Sequence, residues 1–314
     1  MRVLLAGASG AIGRHLIPLL VGAGHSVTGI TRRASNLTGF PGSVVVADIL
    51  DRPALLAAVD GQRFDAVIHE ATDFTRVPRR YSDMRTTNRL RTEGTSALLA
   101  AARATGATRF VAASVFYGYG LDDFGGRVVD EEAGFGEKPG GAVDAVFRSL
   151  LSNEQQVRAF GGVALRYGLF YQGRGAIPAV PGTWTGTLPF VHLEDAASAT
   201  VAALDAPAGS VYNIVDDEPA SWRDVQEARA AALGVRAPAT VPTWLFRRSS
   251  PFSAEVLTAT SVVVSNARVK SELGWAPRYP SYREGIAAAA KDAPGTRVVT
   301  AGASRPSGAA HGSV

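Results

Sequence analysis

The chain has 314 residues, 46% hydrophobic and 19% charged, enough apolar material for one large domain or two interleaved ones. No run of about 18 apolar residues occurs, which argues against a membrane-spanning helix, and the absence of cysteine excludes disulfides and thiolate chemistry. The net charge of +4 rests on 29 arginines and only three lysines, with no basic stripe interleaved with aromatics, so nucleic-acid binding is not expected.

The opening MRVLLAGASG runs straight into an apolar strand, RVLLAG (2–7), without the long apolar region of a signal peptide, so a cytoplasmic location is expected. Gly7-Ala8-Ser9-Gly10-Ala11-Ile12-Gly13 follows that strand and opens the Ala/Leu-rich helix 12–23. Strand, glycine loop, helix is the context that makes such a motif a dinucleotide loop. Small residues let the backbone approach a pyrophosphate, and the helix N–H groups point at it.

The next strand, SVTGIT (26–31), ends in Thr31-Arg32-Arg33. An acidic residue there would bind the ribose 2′-hydroxyl of NAD, whereas arginine pairs with a 2′-phosphate. Arg32 and Arg33 therefore point to NADP(H). Strands follow at 43–48, 65–71, 109–114, 162–168 and 210–215, with helical stretches at 53–59, 88–105, 144–159 and 194–204. Short β-rich runs alternating with helices imply an α/β, doubly wound parallel sheet of the Rossmann type.

Residues 76–91 hold six arginines and one acid, which suits either a solvated helix face or a pocket for an anionic ligand. Residues 170–189 are rich in Gly and Pro, and 218–285 carry a less regular pattern with most of the remaining aromatics. The expected organisation is a dinucleotide-binding domain of 1–169 and 190–217, a substrate lobe of 170–189 and 218–291, and a small, polar tail at 292–314 expected to be disordered.

The glycine loop, DAVIHEAT (65–72), RTEGTSALLAAA (91–102), LRYGLFYQG (165–173), FVHLEDAA (190–197) and ELGWAP (272–277), in that order, resemble the extended short-chain dehydrogenase/reductase family over roughly 1–290. The resemblance implies that Asp48 and Ile49 border the adenine. It implies that Ala71 and Thr72 lie along the ribose and phosphates, and that Tyr167, Gly168 and Leu169 flank the nicotinamide. His192 falls at a structural junction of that family, and His69 reads as a packed core residue. No spacing suggests a metal site.

The family's chemistry uses a Ser or Thr, a Tyr, and a Lys four residues after the Tyr, the last two on one helix face. In VFRSLLSNE (146–154), Ser149 and Glu154 match the family's Y-x-x-S-K-x-x-x-E, which puts Val146 at the tyrosine and Leu150 at the lysine. In RFVAASVFYGYG (109–120), Val115 stands at the catalytic serine and Ser114 at the preceding, non-catalytic one. No catalytic residue is therefore expected at the usual positions. A substrate pocket of Ser114, Val115, Tyr117, Tyr119, Val146, Phe147 and Leu150 would suit a flat aromatic ligand. Ser114, Tyr117, Tyr119, Asp144 and Arg148 are candidates either for replacement proton donors or for structural residues and substrate contacts, the second being the expected role of each.

The function these readings imply is an NADPH-dependent ketoreductase for a small-molecule aromatic polyketide, an angucyclinone-like ketone whose own hydroxyl supplies the proton. Within the family, the chain resembles tailoring ketoreductases of aromatic polyketide antibiotics. A redox-sensing NADP-binding regulator and a nucleotide-sugar epimerase or dehydratase are the alternatives.

Overall fold

The computed structural model describes residues 1–74, 77–136, 140–171, 179–182 and 184–291. The expectations for Arg76, for 172–178 and for the tail at 292–314 lie outside the described residues.

Each of the seven strands read from the sequence enters one parallel sheet: β1 (Arg2–Ala6), β2 (Ser26–Thr31), β3 (Ser43–Val46), β4 (Ala66–His69), β5 (Arg109–Val115), β6 (Val163–Tyr167) and β7 (Val211–Ile214). Their order is β7-β6-β5-β4-β1-β2-β3, with every neighbouring pair parallel. β4, β6 and β7 are buried along their whole length. That is why these strands read as mainly apolar runs without alternation, with one buried polar residue each, His69, Arg166 and Asn213. Helices α1 (Ala11–Gly22) and α4 (Leu193–Ala202) cover one face, where Leu16, Leu20, Ala196 and Ala199 pack on Val3, Leu5 and Ile68. On the other face, α2 (Thr95–Thr105) and the end of α3 (Asp144–Phe160) bring Leu98, Ala102 and Val157 against Leu4, Val67 and Phe110.

A second cluster holds the remaining segments together: Val146, Phe147 and Leu150 of α3 meet Phe116, Tyr119, Phe190, Phe252 and Val264. Short ladders knit these segments, Ala179–Pro181 with Ala239–Val241 and Thr187–Leu188 with Ala220–Ser221. One boundary differs from expectation. Asp123–Val129, placed by its sequence number within the dinucleotide-binding domain, is a strand that pairs parallel with Ser261–Val264. Its ladder partners lie outside the seven-stranded sheet, so the lobe also recruits this part of the first 169 residues.

The strand order reverses between β1 and β4, and a doubly wound sheet opens a crevice at the carboxyl ends of such a pair. Gly7 sits there with φ +96°, and a Cβ on it would lie 2.6 Å from the carbonyl of Glu70 and 2.8 Å from the nitrogen of Ala71. A side chain is excluded by space and by backbone conformation together.

Candidate active site

A cavity of about 630 Å³ runs along the carboxyl ends of the strands. It begins between β2 and β3 and passes the glycine loop. It ends under the lobe, against Met84, Phe252, Val256 and Leu257. Of the positions expected to hold the cofactor, only Gly13 and Arg33 do not line it. Gly13 acts from behind: a Cβ there would come within 2.3 Å of the Gly7 carbonyl, so glycine lets α1 sit tightly on the loop. Helix α1 opens at Gly10 with no side-chain cap and no acid in its first turn. Its free N–H groups and the positive end of its dipole thus face the cavity, a fit for a dinucleotide's diphosphate.

At the β2 end, Thr31 is committed to its own turn. Its hydroxyl donates to the Arg33 carbonyl at 3.0 Å and accepts from Asn36 at 3.3 Å. Arg33 is not among the lining residues, while Arg32 lines the cavity, with a side chain 67% exposed and 3.8 Å from Asp73. Asp48 and Ile49 line the same end.

At the lobe end, three of the residues expected to hold substrate reach the cavity: Ser114, Val115 and Tyr117. Tyr119, Val146, Phe147 and Leu150 do not line it. They are buried in the cluster behind it, because the rings of Phe116 and Phe252 and neighbouring side chains fill the space the sequence reading had left open. Asn153, seven residues after Val146 and so on the same side of the helix, does reach the cavity.

The candidate donors are mostly occupied. The Ser114 hydroxyl donates to Glu154 at 2.6 Å, and Tyr119 donates to Asn213 at 2.7 Å. Asp144 accepts from the Gly140 backbone, and Arg148 is exposed; neither lines the cavity. Tyr117 lines it, packed edge-on between Phe116 and Phe252, and burial pushes its hydroxyl up to about 12. His192 caps α4 through Nδ1 and meets the Tyr279 ring edge to face, and burial lowers it to about 4. His69 is likewise lowered to about 4 by burial; its Nε2 faces the Leu90 carbonyl at 3.1 Å and its Nδ1 accepts from the Ala71 N–H at 3.3 Å. Among the described residues no cluster of His, Asp and Glu is arranged to hold a metal.

Two lining residues were not singled out from the sequence. Glu70 is buried beneath the glycine loop, 2.9 Å from the Tyr167 hydroxyl, which also lies 2.7 Å from Thr200. Burial pushes its carboxyl up to about 8. Tyr167 donates to Glu70 Oε1 and Thr200 donates to the Ala196 carbonyl, while Glu70 Oε2 has no partner among the described residues, a setting that favours the neutral acid. The native state therefore holds a proton that the unfolded chain releases between about 4.5 and about 8. Stability falls as pH rises through that window and levels off above it. Asp216, also raised to about 8 by burial, adds a slope of the same sign. Glu70→Gln is expected to flatten part of the slope, read as urea midpoints across the window; an unchanged slope would show that Glu70 is not the proton's holder.

The second is Arg91. Of the arginines described between 77 and 91, Arg79, Arg80, Arg85 and Arg89 are exposed, and Arg91 is buried and lines the cavity. Nothing in the amino-acid order separates it from its neighbours. A single π-turn at Leu90–Gly94 turns it inward. Such turns occur frequently at functional sites.

Comparison with known proteins follows this geometry. A family model described as the NAD dependent epimerase/dehydratase family matches residues 3–139. A 3-diazoavenalumate denitrifying reductase from Streptomyces sp is 35% identical over 307 residues, covering 91% of this chain and 99% of its own. The structure of UDP-glucose 4-epimerase from Thermotoga maritima with UDP-glucose aligns with a TM-score of 0.75 at 18% identity, covering 93% of this chain and 98% of that one. The Bordetella bronchiseptica enzyme WbmH in complex with NAD+ aligns at 0.71 and 22% identity, over 92% and 97%. Likeness at these identities shows the α/β fold with its seven-stranded parallel sheet.

Proposed function

The chain belongs to the NAD dependent epimerase/dehydratase family, and from that premise we propose that it is an NADPH-dependent reductase. It delivers hydride to a flat aromatic substrate and takes no proton from a protein acid. The observation that carries this reading is one continuous cavity. It joins a dinucleotide cradle to an apolar chamber in which Val115 stands where the family's pattern has its catalytic serine. Val146 and Leu150, at the tyrosine and lysine positions, are sealed in the core. Family chemistry that needs the tyrosine, as in epimerases and dehydratases, finds no donor there.

A hydride acceptor that needs no protein acid is then required. The name of the Streptomyces relative describes a reductase that removes nitrogen from a diazo compound. For this chain the matching substrate is an aryl diazonium or its ortho-hydroxy diazo form. Hydride forms the new C–H bond, the C–N bond breaks, and its electron pair leaves with N₂. The cationic acceptor and the hydride balance without any added proton. The second reading is the aromatic ketone with an adjacent hydroxyl, favoured by the flat apolar walls of Val115, Phe252, Val256 and Leu257. There the hydroxyl supplies the proton that carbonyl reduction needs.

A bound reduced nicotinamide supplies the hydride, and this chain's residues arrange the rest. Gly7, Gly10 and the start of α1 hold the diphosphate, and Arg32 meets the 2′-phosphate. Tyr167, Gly168 and Leu169 flank the reacting ring, while the lobe keeps water away from it. Arg32→Ala should weaken NADPH binding by about 1.5–3 kcal/mol, as for a hydrogen bond to a charged group, and affect NADH much less. Equal or tighter binding of NADH by the native protein would reverse the cofactor assignment.

Following NADPH absorbance with ortho-hydroxyaryl diazonium salts and peri-hydroxy aryl ketones tests the function. Oxidation with release of N₂ supports the first substrate class, and oxidation with alcohol formation the second. Tight NADPH binding with no oxidation by either panel would favour a redox-sensing binding module.

A further inference from the structure

We infer that Arg91 is the anion-recognition residue of the chamber: it binds an ionised oxygen of the aromatic substrate, a carboxylate or a phenolate. The inference rests on the reductase reading above and adds the charge of the substrate to it.

Arg91 is 8% exposed, and its Nη1 has no hydrogen-bond partner among the described residues. No described carboxylate pairs with it. Glu93, the nearest acid in sequence, is held in two hydrogen bonds by Arg89, at 3.0 and 2.8 Å. The groups whose charge Arg91 feels or affects are Tyr117 and His69. Tyr117 stays a neutral phenol and His69 a neutral imidazole near pH 7, for burial raises the first and lowers the second. Burial lowers Arg91 itself only to about 10, so it remains a cation. A buried cation without a counter-charge costs several kcal/mol. An anion entering the cavity offsets that cost, and a neutral group of the same shape does not.

The backbone holds the guanidinium in place. Side chains brace the π-turn: the Leu90 carbonyl, which also accepts the Thr95 N–H, faces His69 Nε2 at 3.1 Å, and the Arg91 carbonyl accepts from the Thr95 hydroxyl at 2.8 Å. Its electrostatic partner Tyr117 lies two residues past Val115, the last residue of β5, and both line the chamber, which puts the charge at the chamber end and not at the Arg32 end. Among the described residues the cavity thus carries one arginine at each end, Arg32 and Arg91, one for each anionic ligand.

The test uses the full chain saturated with NADP+, which cannot turn over, and a matched pair of probes, 1-hydroxy-2-naphthoate and 1-hydroxy-2-naphthamide, titrated by calorimetry. The native protein is expected to bind the acid at least about tenfold more tightly than the amide. Arg91→Met should erase that preference and leave NADP+ affinity within about twofold, while Arg91→Lys should keep part of the preference. Equal binding of acid and amide by the native protein overturns the inference, as does binding of neither at millimolar concentration. So does an acid preference that survives in Arg91→Met, or a fall in NADP+ affinity without loss of preference, which would assign Arg91 to the cofactor. If Arg91→Met does not fold, the native ratio and Arg91→Lys decide. Failure of NADPH oxidation would overturn the reductase reading alone, because the acid/amide ratio does not depend on turnover.

Discussion

Glu154→Ala is expected to cost about 3–5 kcal/mol of folding stability, the penalty for breaking a buried ion pair from one side. Glu154 is 3% exposed and accepts both Nε and Nη2 of Arg166, at 2.9 and 2.8 Å, together with the Ser114 hydroxyl at 2.6 Å. The Arg166 guanidinium lies over the rings of Tyr119 and Phe135, with centroids at 4.7 and 5.0 Å, and its Nη1 has no partner among the described residues. Removing the carboxylate leaves that cation buried with only ring faces around it. Helix α3 loses its polar tie to two paired strands at once, because Glu154 is on α3, Ser114 on β5 and Arg166 on β6. Urea unfolding of the two proteins measures the difference. A loss under about 1 kcal/mol, the range of an exposed pair, would mean that the network contributes no more than a surface contact.

Gly7→Ala is expected to abolish measurable NADPH binding and to destabilise the fold by about 2–4 kcal/mol, from strained φ and overpacking together. The new methyl would lie 2.6 Å from the Glu70 carbonyl and 2.8 Å from the Ala71 nitrogen, both rigid backbone, so the loop itself must move. Moving it drags the cradle away from the first turn of α1, where the diphosphate is held. Gly24→Ala is the control. Gly24 also has positive φ, +78°, but open space around it, so it should cost only the left-handed penalty of about 1–2 kcal/mol. Its NADPH affinity should match the native protein's. Normal NADPH binding by Gly7→Ala would contradict the cradle assignment.

How far the amino-acid order reached can be judged residue by residue. All seven strands of the sheet were legible because short β-rich runs between breakers alternate with helical stretches, as a parallel sheet requires. The glycine loop was legible because its spacing is dictated by backbone contact. The strand Asp123–Val129 was not, because DFGGRVV interrupts its apolar pattern with two glycines and it pairs with residues far along the chain. Val146 and Leu150 were expected in a substrate pocket, but whether their helix face meets a cavity or a packed core depends on Phe116 and Phe252, which come from elsewhere. Glu70 and Arg91 were hidden for a related reason. A carboxylate or a guanidinium looks alike in sequence whether solvated or sealed, and burial alone gives these two their chemistry.

The ladder between Asp123–Val129 and Ser261–Val264 also bears on how the chain is made. The first strand leaves the ribosome roughly 130 residues before its partner, a wait on the order of ten seconds at ~5–20 residues per second. During that interval its N–H and C=O groups form an open edge, available to any other extended segment. Four features temper the hazard: Asp123, Arg127, and the two glycines between them, which twist and charge the strand. Translation stalled after the sheet is complete but before Ser261 would therefore yield a nascent protein with a finished nucleotide cradle and a sticky border, a natural target for chaperones.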